Sequence, residues 1–93
     1  MTLGRTIEAA LSLITGDRAV QHGDYELNHA NIAALWNAYL AIRRDPAAEL
    51  SPADVALMMC LLKVARTQLG GFNADDYCDA AAYLDLAREL AHE

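Results

Sequence analysis

Basic residues are scarce in this chain: seven Lys and Arg, one of them lysine, stand against thirteen Asp and Glu in 93 residues, for a net charge of −6. That balance excludes a groove that tracks a DNA or RNA backbone, because such grooves neutralise phosphates with clustered cations. A small nucleotide held by two or three cations stays within reach. Long hydrophobic runs are missing too. Nothing approaches the roughly 20 apolar residues of a membrane span, and the chain does not open on a cationic segment followed by an apolar stretch and a small-residue cleavage site. A cytoplasmic protein with no membrane partner is the expectation. The two cysteines, Cys60 and Cys78, are too few for a disulfide scaffold and are not spaced as a metal-binding pair. Each lies in an apolar stretch, which reads as core packing by a reduced thiol. Aromatics amount to 6% of the chain and prolines to two. At this length there is room for one core, so residues 1–93 are expected to form a single α-helical domain.

What is present is alanine, at 19 residues, with Leu, Ile, Val and Phe adding 22. The latter four make up about a quarter of the chain, above the roughly 20% floor associated with disorder. Their spacing is helical, and no alternating strand pattern or internal repeat interrupts it. The first helix is expected over about 3–15, with Leu3, Ile7, Ala10, Leu11 and Ile14 on one face and Gly16 as its stop. A polar link follows, GDRAVQHGDYELN, in which Asp24 or Asn28 can cap a second helix. That helix carries Ile32, Leu35, Trp36, Tyr39 and Leu40, and Pro46 ends it. The third helix has the clearest start. Ser51 can cap, Pro52 suits the first helical position and Asp54 sits three residues after the cap; Gly70 and Gly71 are expected to stop the helix. The fourth is expected to start at Asn73, with Tyr77, Ala80, Ala81, Leu84, Ala87 and Ala91 as its apolar stripe. Short loops between four such helices predict a compact antiparallel four-helix bundle. The wide apolar faces of helices two and three, in so small a domain, predict a symmetric homo-oligomer.

The residues that can carry chemistry are few. Asp75, Asp76 and Asp79 fall within five residues at the start of helix four. Pairs three or four apart project from one side of a helix and can share a hard cation such as Mg²⁺, although Asp75 and Asp76 also suit a first helical turn for dipole reasons alone. Lys63 and Arg66 share a face of helix three. Their spacing favours ion pairs with Asp76 and Asp79 on the next helix, and a phosphate is the other anion they can hold. Arg18 and His22, beside Gly23, can face an anion in the link. No nucleophile and base are spaced in a way that marks covalent catalysis.

At these residues the sequence resembles a family of small, largely uncharacterised proteins encoded by phages and prophages. The stretches RAVQHGDYELNHANIAALWNAYL, LSPADVALMMCLLKVARTQ and DDYCDAAAYLDLARE carry the resemblance, which covers about residues 9–90. Within them stand Arg18 with His22-Gly23-Asp24, the run from Asp54 to Met59 ending in Lys63 and Arg66, and Asp76 with Asp79 and Tyr83. That family in turn looks like a trimmed relative of the MazG-like all-α nucleoside triphosphate pyrophosphohydrolases. Those enzymes hold Mg²⁺ with an E-x-x-E pair on one helix and an E-x-x-D pair on a later one. Asp76-Tyr77-Cys78-Asp79 is similar to the second pair. The first is missing, since the corresponding turn of helix three offers Leu57 and Met58.

The resemblance implies a MazG-like fold with a nucleotide pocket between helices or subunits, lined by Arg18, His22, Lys63, Arg66, Asp76, Asp79 and Tyr83. Two aspartates facing a lysine and an arginine supply too little negative charge for a metal cluster, so binding without turnover is favoured and no cofactor is expected. The sequence thus reads as a phage-encoded protein, placed in the host cell cytoplasm, that sequesters a nucleotide; a cyclic or modified nucleotide immune signal would suit an anti-defence role. One alternative is a Mg²⁺-dependent pyrophosphohydrolase with Asp76 and Asp79 as metal ligands and Asp54 or Glu49 completing the site. A second is a helical module whose acidic last helix meets a host protein.

Overall fold

A computed structural model describes residues 25–92 of the chain. Among them the fold is all-helical, with α1 at Tyr25–Ile42, α2 at Pro52–Arg66 and α3 at Ala74–His92. These are the second, third and fourth helices expected from the sequence. The expected first helix, with Gly16, Arg18 and His22, lies outside the described residues.

Of the two caps the sequence offers for the first described helix, Asp24 lies outside the described residues, and Tyr25-Glu26-Leu27-Asn28 is already helical. Glu26 favours the positive end of the helix dipole, and His29 Nδ1 donates to the Tyr25 carbonyl at 2.7 Å, one turn back. Asn28 therefore sits inside the helix and does not cap it. Beyond Ile42 the chain turns on Arg43, whose guanidinium donates to the Ala48 and Glu49 carbonyls at 2.9 and 3.1 Å. Asp45 closes the turn by accepting from the Ala47 N–H at 3.1 Å.

The second described helix begins as its sequence dictates. Ser51 Oγ accepts from the Asp54 N–H at 3.1 Å, and the Asp54 carboxylate accepts from the Ser51 N–H at 2.8 Å, a reciprocal capping box with Pro52 at the first position. Its end comes four residues before the expected glycine stop. Thr67 is β-branched, and its hydroxyl donates to the Val64 carbonyl at 2.6 Å, competing for an acceptor of the last turn. The chain then tightens, with Gln68 and Leu69 N–H groups bonding three residues back. Gly70 at φ 69° turns it toward α3. Asn73 caps that helix as expected, accepting from the Asp75 N–H at 3.0 Å.

Packing centres on α2, against which α3 lies extensively and α1 less so. The buried apolar residues are Ile32, Ala56, Met58, Ala65 and Ala87, so alanines supply much of the seam and let the helices approach closely. Trp36 ties α1 to α2 by donating its indole N–H to the Met58 carbonyl at 2.7 Å. On α3 the buried side is displaced from the expected stripe. Asp76 and Ala87 are buried and Ala80 partly so, whereas Tyr77, Ala81, Leu84 and Ala91 face outward. Cys60 is partly buried and Cys78 exposed, so core packing does not describe Cys78.

Candidate functional site

Two ion pairs cross the α2–α3 seam. Lys63 Nζ stands 3.2 Å from Asp79 Oδ2, and Arg66 Nε donates to Asp76 Oδ1 at 3.1 Å. The spacing of three residues on each helix brings them into register, one turn of α2 against one turn of α3. Asp76 is 6% exposed, so its charge is compensated by Arg66 at close range; Asp79 is half exposed and its pair is correspondingly screened. Tyr83 lies partly buried one turn beyond Asp79.

Arg66 uses one nitrogen on Asp76, and its two Nη groups have no partner among the described residues. Arg66 lines a cavity of about 60 Å³ together with Asn28, Asp76, Gly70, Gly71 and Asn73. Asn28 Oδ1 is buried and accepts no hydrogen bond. An unpaired buried acceptor is costly to leave without a donor. The cavity is thus lined by an arginine, an asparagine with an unpartnered Oδ1 and an already compensated carboxylate, beside a glycine-bearing turn. Asn28 was missed as a site residue because its sequence neighbours suggest a helix cap; only the depth of α1 against the α2–α3 turn brings it here.

A second polar cluster sits at the opposite end of α2. Asp54 accepts from Tyr39 Oη at 2.5 Å, from Arg43 Nη2 at 2.9 Å and from Ser51 Oγ at 2.9 Å, in addition to its capping bond. The Ser51 backbone N–H and the Tyr39 hydroxyl hold the Asp54 carboxyl well below the usual carboxylate range. Burial, with the hydrogen bond to Asp54, pushes Tyr39 up to about 12. Every strong donor here is already satisfied by protein groups, so the cluster locks the α1–α2 connection.

The arrangement does not assemble a metal centre from the described carboxylates. No three His, Cys, Asp or Glu among the described residues are placed to hold a metal ion. Asp76 and Asp79 each face a cation, and Asp54 lies nine residues before Lys63 along α2, about 13 Å at the helical rise. Mg²⁺ needs several oxygen ligands around one point, and these residues do not meet. No described helix is long and apolar enough to cross a membrane.

Comparison with known proteins places the chain. Residues 5–91 match the model of a domain of unknown function (DUF6378). The chain is 38% identical over 84 residues to the Gene 55 protein of Mycobacterium phage L5, covering 90% of this chain and 51% of that protein. It is 33% identical over 87 residues to the Gene 55 protein of Mycobacterium phage D29, covering 94% of this chain and 54% of that one. The chain thus spans about half the length of the curated relatives it matches. No solved structure matches it. The resemblance to small phage proteins is borne out, and the chain belongs to the DUF6378 family, a phage protein family of unknown function.

Proposed function

We propose that this domain binds a small nucleotide without turning it over, with the Arg66–Asn28 cavity as the anchor point. The observation that supports this reading is that one cavity beside the Gly70–Gly71 turn is lined both by Arg66, which bonds Asp76 through Nε alone, and by Asn28, whose buried Oδ1 accepts no hydrogen bond. A guanidinium fork suits phosphate or a base edge, and an amide suits an exocyclic amine. The cavity, about 60 Å³, takes one polar group of such a ligand, and the remainder lies over the adjoining surface. Lys63 is a secondary contributor, since its ammonium is shared with Asp79. Arg18 and His22 belong to the same proposal from the sequence side. Sequestration in place of hydrolysis is favoured because Asp54, Asp76 and Asp79 are spent on ion pairs and a helix cap and do not fit a Mg²⁺ cluster. The domain is further proposed to work as a homo-oligomer.

Isothermal titration with the four ribonucleoside triphosphates and their 3′,5′-cyclic monophosphates tests the reading. Saturable binding that falls at least tenfold in Arg66→Ala and in Asn28→Ala, with no pyrophosphate released in the presence of Mg²⁺, is the expected result. Absence of binding across the panel overturns it, and Mg²⁺-dependent release lost in Asp79→Asn restores the hydrolase alternative.

A further inference from the structure

The turn that closes the Arg66–Asn28 cavity also carries the most exposed large apolar side chain among the described residues. Phe72, between the cavity-lining Gly71 and Asn73, is 84% exposed, and its ring lies against Tyr77, itself 54% exposed, with centroids 5.7 Å apart and planes tilted by 31°. Part of this pairing has a local reason. Phe72 directly precedes the Asn73 cap and Tyr77 is the fourth helical residue, the positions of a hydrophobic staple that fixes how the chain joins a helix. A staple needs one flank of each ring in contact. It does not account for leaving the rest of Phe72 in water, where an aromatic ring gains nothing from burial.

We infer that Phe72, backed by Tyr77, is the stacking platform for the nucleobase of the ligand anchored at Arg66 and Asn28. This rests on the nucleotide reading above and adds to it the recognition of the base. A planar base laid on the outer face of Phe72 buries apolar area on both partners, and stacking of this kind tolerates any base because each presents a π-face. The tilted Tyr77 ring holds Phe72 from behind, and the Gly70 turn sets the loop that carries it, so the platform stands on the same turn as the cavity. The residues on either side of Phe72 in the chain, Gly71 and Asn73, both line the cavity that holds the polar anchor. Discrimination between bases falls to Asn28 and the Arg66 fork, and the platform supplies affinity common to all.

Three substitutions at position 72 separate stacking from stapling, read by titration with whichever nucleotide of the panel binds most tightly. Phe72→Ala is expected to weaken binding about 5- to 150-fold, the range equivalent to the loss of one base–aromatic stack. Phe72→Leu keeps an apolar staple but has no π-face, and is expected to weaken binding nearly as much. Phe72→Trp is expected to bind at least as well as the parent, with its added indole fluorescence quenched on ligand addition. Circular dichroism of each variant, expected to match the parent, shows that the helices persist. Full affinity in Phe72→Leu, or in Phe72→Ala, overturns the platform while leaving nucleotide binding in place. If no nucleotide binds the parent chain, both readings fall together.

Discussion

Asp54 shows how one side chain can set a junction. Its two oxygens take the capping bond of α2, the Tyr39 hydroxyl of α1 and the Arg43 guanidinium that also gathers the Ala48 and Glu49 carbonyls. The sign of its pH dependence follows from its depressed proton affinity. The carboxylate contributes stability above the ordinary aspartate range, near 3.9, and that contribution is lost as pH falls through it toward the folded-state value. Tyr39 has the opposite sense. Its affinity for the proton is raised, so its contribution is present below pH 10 and is lost as pH rises from there toward about 12. Thermal unfolding followed from pH 2 to pH 12 should show both limbs. Asp54→Asn should flatten the acid limb and Tyr39→Phe the alkaline one, each with a lower melting temperature at pH 7. A Tyr39→Phe profile that keeps the alkaline limb would place its cause elsewhere.

At the scale of the element, the two capping residues do the most with the least. Ser51 and Asn73 start α2 and α3 by accepting N–H groups that have no carbonyl partner in the helix. Ser51→Ala should therefore cost about 1 kcal/mol in urea unfolding, whereas Ser51→Asp, which retains an acceptor, should cost a few tenths or less. These starts were legible because a cap is a local arrangement of three or four residues. The end of α2 was less so. Glycine marked the turn, yet the helix stops at Arg66 because Thr67 diverts the Val64 carbonyl, an outcome decided by one hydroxyl rotamer. The buried face of α3 departs from its apolar stripe for a related reason. Counting apolar residues favoured Tyr77 and Leu84, but Arg66 compensates Asp76 and draws that carboxylate inward, and Ala87 follows it into the seam.

At the scale of the whole molecule, the three described helices bury few large side chains, Ile32 and Met58 chief among them, and leave Leu84 55% and Tyr77 54% exposed. Ala81, Leu84 and Ala91 of α3 and Leu57 of α2 border an apolar groove of about 550 Å³. We propose that groove as the contact of the homo-oligomer, since alanines at 81 and 91 allow close helix approach. Light scattering at micromolar concentration should return a mass of at least twice the 10.1 kDa chain. Leu84→Glu should return the monomer; a monomeric parent removes the oligomer from the account.

The sequence alone determined the helical class, the caps at Ser51 and Asn73, the membership suggested by its phage-like stretches and the pairing tendency of Lys63 and Arg66 with the α3 aspartates. Those features depend on composition, on near neighbours, or on spacings of three and four that a helix converts directly into one face. Tertiary structure decided which carboxylate is buried, where Asn28 lies and what stands next to the Phe72 ring. Each depends on contacts between residues far apart in the chain or on the orientation of a turn. The Tyr39–Arg43–Asp54 lock belongs to the same class: its members are ordinary surface residues until α1 and α2 fold back on each other and exclude water from between them.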